Sequence, residues 1–157
     1  GTFYAGGIRV PLAVRWPARI QAGTETHEPV IGIDFYPTWL DVAGATPPRD
    51  YLLDGLSMTP LFDDPDASLG RETIYWHFPG YPNSPWRTGP VSAVRSGEWK
   101  LMKFYETDHV ELYDLVRDPG EQEDVAETMP VERDRLLGAL EGWLQLTNAP
   151  LPRWPDD

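Results

Sequence analysis

The apolar and polar positions of this chain change period as it proceeds. Ile8 to Trp16 (IRVPLAVRW) is a largely apolar run between Gly6-Gly7 and Pro17, broken only by two Arg, and it predicts a buried strand with neighbours on both sides. After a polar stretch from Gln21 to Glu28, Asp34 stands as the N-cap of a predicted helix through Ala43, with Pro37 in the first turn and Gly44 at the stop. Phe35, Trp39 and Val42, with Tyr36, Leu40 and Ala43, make this helix apolar nearly all round, so it is expected to be buried. Ala45 to Leu69 is punctuated by Pro, Asp and Gly and reads as a surface connection with short turns.

Period two then takes over. Thr73 to Phe78 (TIYWHF) predicts a strand, and Gly80 to Pro90 is an aromatic and proline loop of the kind that lines clefts. Val91 to Arg95, a Ser96-Gly97 turn, Glu98 to Tyr105 and Val110 to Leu115 predict an antiparallel meander. Alternation sends Trp99, Leu101 and Lys103 to one face and Lys100, Met102 and Phe104 to the other. A helix is expected to cover one face and leave the other partly wet. That helix is Val131 to Leu146, where Leu136, Leu137, Leu140, Trp143 and Leu144 recur at helical spacing.

Composition narrows the function. The net charge of −12 is concentrated late: Glu106 to Asp157 carries fourteen acids against four Arg. Such a surface repels nucleic acid and anionic lipid, so neither is an expected partner. No run of 18 apolar residues occurs, and there is no Cys for a disulfide framework or a thiolate metal site. The first ten residues lack Met and the charged-then-apolar order of a signal peptide, so the chain reads as a piece of a longer protein.

Several short motifs, in order, carry a resemblance. Gly1-Thr2-Phe3-Tyr4-Ala5-Gly6-Gly7-Ile8-Arg9-Val10-Pro11, Asp34-Phe35-Tyr36-Pro37-Thr38, Asp54-Gly55, Tyr75-Trp76-His77-Phe78-Pro79, Ala93-Val94-Arg95-Ser96-Gly97-Glu98-Trp99-Lys100-Leu101 and Glu111-Leu112-Tyr113-Asp114-Leu115 together resemble the C-terminal third of sulfatases. Ala5 departs from that pattern, in which an acid stands, and the Lys that precedes the glycine falls outside the chain. The resemblance implies a sulfuric ester hydrolase of the alkaline-phosphatase-like superfamily, using a formylglycine made from Cys or Ser and a calcium held by Asp and Asn. Asn83-Ser84-Pro85-Trp86-Arg87 is not the modification motif, because Asn stands where the modified residue would be. No catalytic residue and no metal ligand is therefore assigned to this chain; calcium and formylglycine belong to the full-length parent.

Single residues carry less. His77, at a strand end, could donate to a sulfate oxygen or a sugar hydroxyl, or serve as a hydrogen-bonded structural histidine. Tyr81, Trp86 and Arg87 supply aromatic faces and a guanidinium suited to stacking on a sugar and pairing with an anion, or to packing their own loop. Arg9 is read as bonding groups around the Gly6-Gly7 turn, and His27 and His109 as solvated loop residues. The Asp118-Pro119-Gly120-Glu121 run is read as a turn whose acids cap the next segment.

The fold class expected is an α+β fragment of an α/β sulfatase fold: one strand and helix of the large sheet, then a small antiparallel sheet of about four strands packed by a C-terminal helix. Residues 1–70 are assigned to the end of the large domain and its connection, and 71–157 to a C-terminal subdomain. The expected partners are the upstream sulfatase domain and, through the parent, a sulfate ester. Self-association is expected from an exposed strand edge. A phosphate or phosphonate ester hydrolase of the same superfamily and a stand-alone carbohydrate-binding module are the alternatives. The compartment stays open, with a periplasmic or secreted parent the reading in view.

Overall fold

The computed structural model describes residues 2–80 and 89–153. The chain divides into two units, Gly1–Val10 with Glu72–Asp157, and Pro11–Arg71.

The first unit is built on a four-stranded antiparallel meander, β1 (Thr73–Phe78), β2 (Val91–Ser96), β3 (Trp99–Phe104) and β4 (His109–Asp114), in the order β1-β2-β3-β4. The β2–β3 turn is Gly97-Glu98, one residue later than expected, because the pairing Ser96↔Trp99 gives Gly97 the first central position, where its φ of +58° needs no side chain. Val94, Leu101 and Leu112 point to one face and meet Leu136, Leu140 and Leu144 of the helix Pro130–Leu146. Tyr75 and Trp143 stack there with centroids 4.8 Å apart, and Lys103 pairs with Glu141 at 2.8 Å. The other face was expected to stay partly wet. Instead Val91, Ala93, Met102 and Tyr113 form a second buried cluster under Phe3 and Tyr4, so the N-terminal segment supplies its cover.

The edge of β4 is also closed. The Leu112 N–H donates to the Asp124 carboxylate at 2.9 Å, and the Val125 N–H donates to the Leu112 carbonyl at 2.9 Å. Side chain and backbone thus replace a fifth strand and blunt the edge. His109 begins β4 instead of lying in a loop, stacked on Phe104 at 4.7 Å and bonded to Thr107.

The second unit contains the helix Phe35–Ala43 and a short helix Thr59–Asp63; with Ala5–Ile8 of the first unit these are α2, α3 and α1, and Pro130–Leu146 is α4. Gly44 ends α2 with φ +62° as expected. Asp34 does not cap α2. Its buried carboxylate accepts the Ile31 N–H at 2.7 Å and the Leu56 N–H at 2.9 Å, and Arg71 pairs with both its oxygens. Its main chain contributes as well: Thr38 Oγ1 donates to the Asp34 carbonyl at 2.6 Å and accepts the Met58 N–H at 2.9 Å. Loops far apart in sequence are thereby tied to one carboxylate. Gly55 sits so close to the Ile33 carbonyl that a Cβ there would collide with it, which accounts for the Asp54-Gly55 pair.

Two expectations fail in this region. Residues 9–16 form no ladder among the described residues, and Val10, Leu12 and Val14 are exposed, because a strand exists only where another backbone answers its N–H and C=O groups. Helix α2 is not buried: only Pro37 and Thr38 are, while Trp39 is 64% exposed, since no second layer of described residues lies over its apolar face.

Candidate functional site

His77 is the sequence candidate that falls among the described residues; Tyr81, Trp86 and Arg87 lie outside them. Register explains where His77 sits. It pairs with Ser92, one step from the loop that joins β1 to β2, and on the α4 face of the sheet. Its Nδ1 is 2.7 Å from Ser92 Oγ, Ser92 Oγ is 2.9 Å from the Tyr105 hydroxyl, and its Nε2 is 2.8 Å from the Pro150 carbonyl oxygen. A carbonyl only accepts, so Nε2 carries the hydrogen. In the neutral ring Nδ1 then accepts from Ser92, which in turn accepts from Tyr105.

The tail reaches His77 because α4 ends on Asn148 in the left-handed region, with φ +50°. The Ala149 N–H returns to the Leu144 carbonyl at 2.9 Å, and the turned chain presents the Pro150 carbonyl to the imidazole. Both ring nitrogens are therefore occupied by the chain itself. Ser92 was missed in the sequence, although a hydroxyl in the otherwise apolar run Val91-Ser92-Ala93-Val94 marked a buried polar group in want of partners.

A second polar assembly lies on the opposite face. Glu111 Oε2 accepts from the Tyr4 hydroxyl at 2.6 Å and from the Tyr113 hydroxyl at 2.9 Å. Burial first, and then the hydrogen bond and charge of Glu111, push the Tyr4 hydroxyl up to about 12, and the same causes push Tyr113 up. Beside them Lys100 and Glu121 form a buried ion pair at 2.5 Å. Burial holds Lys100 below the usual lysine range, partly offset by Glu121. In the second unit burial would raise Asp34, but Arg71 and the Ile31 and Leu56 amides outweigh it and hold the carboxyl below its usual value.

A shallow cavity of about 180 Å³ in the second unit is lined by Ile33, Tyr36, Tyr51, Leu52, Leu53, Asp54 and Gly55. Asp118 accepts the Gln122 and Glu123 amides at 2.6 and 2.8 Å, as its turn position predicts. Arg9 is exposed and, among the described residues, its side chain bonds neither backbone nor acid, contrary to the role read for it. Among the described residues no group of three or more His, Cys, Asp or Glu could hold a metal ion.

This geometry defines a sheet-and-helix module in which, among the described residues, every buried side-chain polar atom finds a partner. The family described as "N-sulphoglucosamine sulphohydrolase, C-terminal" matches residues 2–140, and the chain belongs to it. It is 32% identical to a sulfatase of Formosa agariphila over 98% of this chain and 30% of that protein. It is 33% identical to human arylsulfatase A over 96% of this chain and 32% of that protein. The solved structure of a protein in complex with its substrate D-glucosamine-2-N,6-O-disulfate superposes with a TM-score of 0.70 at 28% identity, over 83% of this chain and 27% of that one. The chain thus spans less than a third of the length of these relatives and is a C-terminal portion of the sulfatase fold.

Proposed function

We propose that the protein to which this chain belongs is a sulfuric ester hydrolase, and that the chain forms a wall of its substrate pocket without supplying the nucleophile. The family match across residues 2–140 carries this reading, because it includes all four strands and most of α4. Calcium and formylglycine are proposed for the full-length protein. The residues of this chain do not fit them: the sequence has no Cys, Asn83 stands where the modified Cys or Ser of the motif would be, and the described acids form no metal cluster. No step through either group is assigned to it.

The substrate side is proposed to be the end of β1 and the loop beyond it. Arg87 offers a planar guanidinium to an anionic oxygen, and Tyr81 and Trp86 offer ring faces to a sugar. His77 belongs to this proposal as the residue that braces the strand end from which the loop departs. The occupied state of both its nitrogens favours bracing over direct donation. The upstream sulfatase domain is the proposed partner of the module, and the exposed apolar side chains of α2 support self-association when the chain is isolated.

The test is sulfate release by the full-length protein from an aryl sulfate and from N- and O-sulfated glucosamine, with phosphate and phosphonate monoesters as controls. Sulfate esters are expected to be the preferred substrates, and the isolated chain is expected to release no sulfate. Preference for the phosphorus esters would overturn the assignment. His77→Ala or Arg87→Ala with unchanged kcat/KM would remove that residue from the substrate side.

A further inference from the structure

Lys100 and Glu121 are both nearly inaccessible, at 2% and 5% exposure, yet they are ionisable groups on a small sheet. Burying such a pair gains little stability, since desolvation offsets the attraction and apolar side chains of equal volume often do as well or better. What the pair does is visible in its remaining bonds. Lys100 Nζ donates to the Phe3 carbonyl at 2.5 Å as well as to Glu121 Oε1, and the second oxygen of Glu121 accepts the Ala5 N–H. The charges therefore grip two main-chain groups of one short segment, on either side of Tyr4.

Two further observations point the same way. Glu121 holds its carboxylate there from a left-handed backbone, φ +54°, a conformation a non-glycine residue adopts at a cost and which persists only where surroundings enforce it. Tyr4 between the gripped groups is itself fixed by its hydroxyl on Glu111 and by its ring against Phe104 and Tyr113. Apolar packing of Phe3 and Tyr4 alone would tolerate a slide of the segment along the sheet. Main-chain bonds to a fixed ammonium and a fixed carboxylate would not, because a one-residue shift puts a donor against a donor.

We infer that Lys100 and Glu121 are positioning residues: they set the register of residues 2–8 on the sheet and so fix where the polypeptide enters this module. The inference rests on the proposed function in one respect. In a family whose match is its C-terminal part, the chain entering at residue 2 comes from the remainder of the enzyme, so a misplaced register is transmitted toward the reacting site. The pair touches no substrate and is not catalytic.

The experiment uses the full-length protein with Lys100→Met combined with Glu121→Met, read by hydrogen exchange, melting temperature and sulfate-ester kinetics. The expected result is a nearly unchanged melting temperature, exchange of the Ala5 amide faster by about tenfold or more, and unchanged protection of Val94 and Leu101. kcat/KM on an aryl sulfate should fall about tenfold or more, since small misplacements cost rates of that order. Unchanged exchange at Ala5 in a folded variant would overturn the inference, whatever the protein hydrolyses. Failure to hydrolyse any sulfate ester, in wild type and variant alike, would instead count against the proposed function and leave the exchange result to decide the positioning role. If the double variant does not fold, Glu121→Gln, which keeps the shape and an acceptor, is measured in the same way. Loss of folding in both overturns the inference, because it makes the pair a determinant of stability in place of register.

Discussion

The two units solve the same problem, burying enough of a short chain, in opposite ways. The sheet unit covers both faces of a meander with pieces distant in sequence, α4 on one side and Phe3 and Tyr4 on the other, and closes its β4 edge with Asp124 and Val125. The Pro11–Arg71 unit has no sheet and few buried apolar side chains. It is organised around one carboxylate, Asp34, which ties Ile31, Leu56 and Arg71 together, while Trp39, Tyr51 and Leu52 stay exposed. One unit is held by area and the other by a polar hub, and the two should fail under different insults.

The largest expected effect is at the hub. Asp34→Ala leaves the half-buried Arg71 without its carboxylate partner and two amides without their acceptor, a loss of about 3–5 kcal/mol for a broken pair with a buried member. Amide exchange should then rise across residues 11–71 while Val94, Leu101 and Leu112 keep their protection. Equal loss in both regions would erase the distinction. Acid gives the same contrast without mutation. Because the folded carboxyl of Asp34 is held below its usual value, its contribution is present above the unfolded pKa, near 3.9, and is lost as pH falls below that through the folded value. Next in size, Leu140→Ala opens a cavity between α4 and the sheet and should cost about 2–5 kcal/mol, measured by chemical denaturation, with exchange rising in the strands first.

The parts legible in the sequence divide along the same line. The meander and α4 were readable because their apolar residues repeat with periods of two and of three to four, and both periods answer to surfaces within the chain. The strand read over Ile8 to Trp16 and the burial read for α2 rested on equally clear patterns, but a pattern states what a segment would bury, not whether a partner is present. Asp34 was noticed for the wrong duty: a carboxylate before a helix looks like a cap, and nothing local announces that Arg71, 37 residues later, will claim it. Lys100 and Glu121 were hidden for a related reason: a lysine in a strand reads as facing solvent on the partly wet face, and Glu121, after a Pro-Gly turn, reads as a cap for the next segment, whereas its carboxylate goes to Lys100 and the Ala5 N–H. The resemblance to sulfatases was legible from the order of short motifs, and the family match bears it out.

A smaller effect separates polar anchoring from apolar cover within the sheet unit. Tyr4→Phe keeps the ring and removes the hydroxyl that donates to Glu111, which should cost about 1–2 kcal/mol near neutral pH. The wild-type hydroxyl is raised to about 12, so its contribution is complete below the unfolded value near 10 and is lost as pH climbs from there through about 12. Melting temperature followed across that window should decline more steeply in wild type than in the Phe variant, and tyrosinate absorbance should rise with it. Parallel declines would mean that Tyr4 holds the segment by its ring alone.

The smallest effect expected within this chain is the most informative about the rest of the enzyme. Trp39→Ser removes a large side chain from α2 that is 64% exposed, so in the 157-residue chain it should change stability by no more than about 0.5 kcal/mol, the range of ordinary surface substitutions. Sedimentation at rising concentration should at the same time show less self-association than wild type, because the apolar patch is broken. In the full-length protein the same substitution is expected to cost about 3 kcal/mol or more, the scale of truncating a buried Trp, if the upstream domain covers α2. Small and equal effects in both contexts would mean that this face of α2 stays bare in the whole enzyme. The contrast between a unit complete in itself and one that awaits its other half would then have to be redrawn.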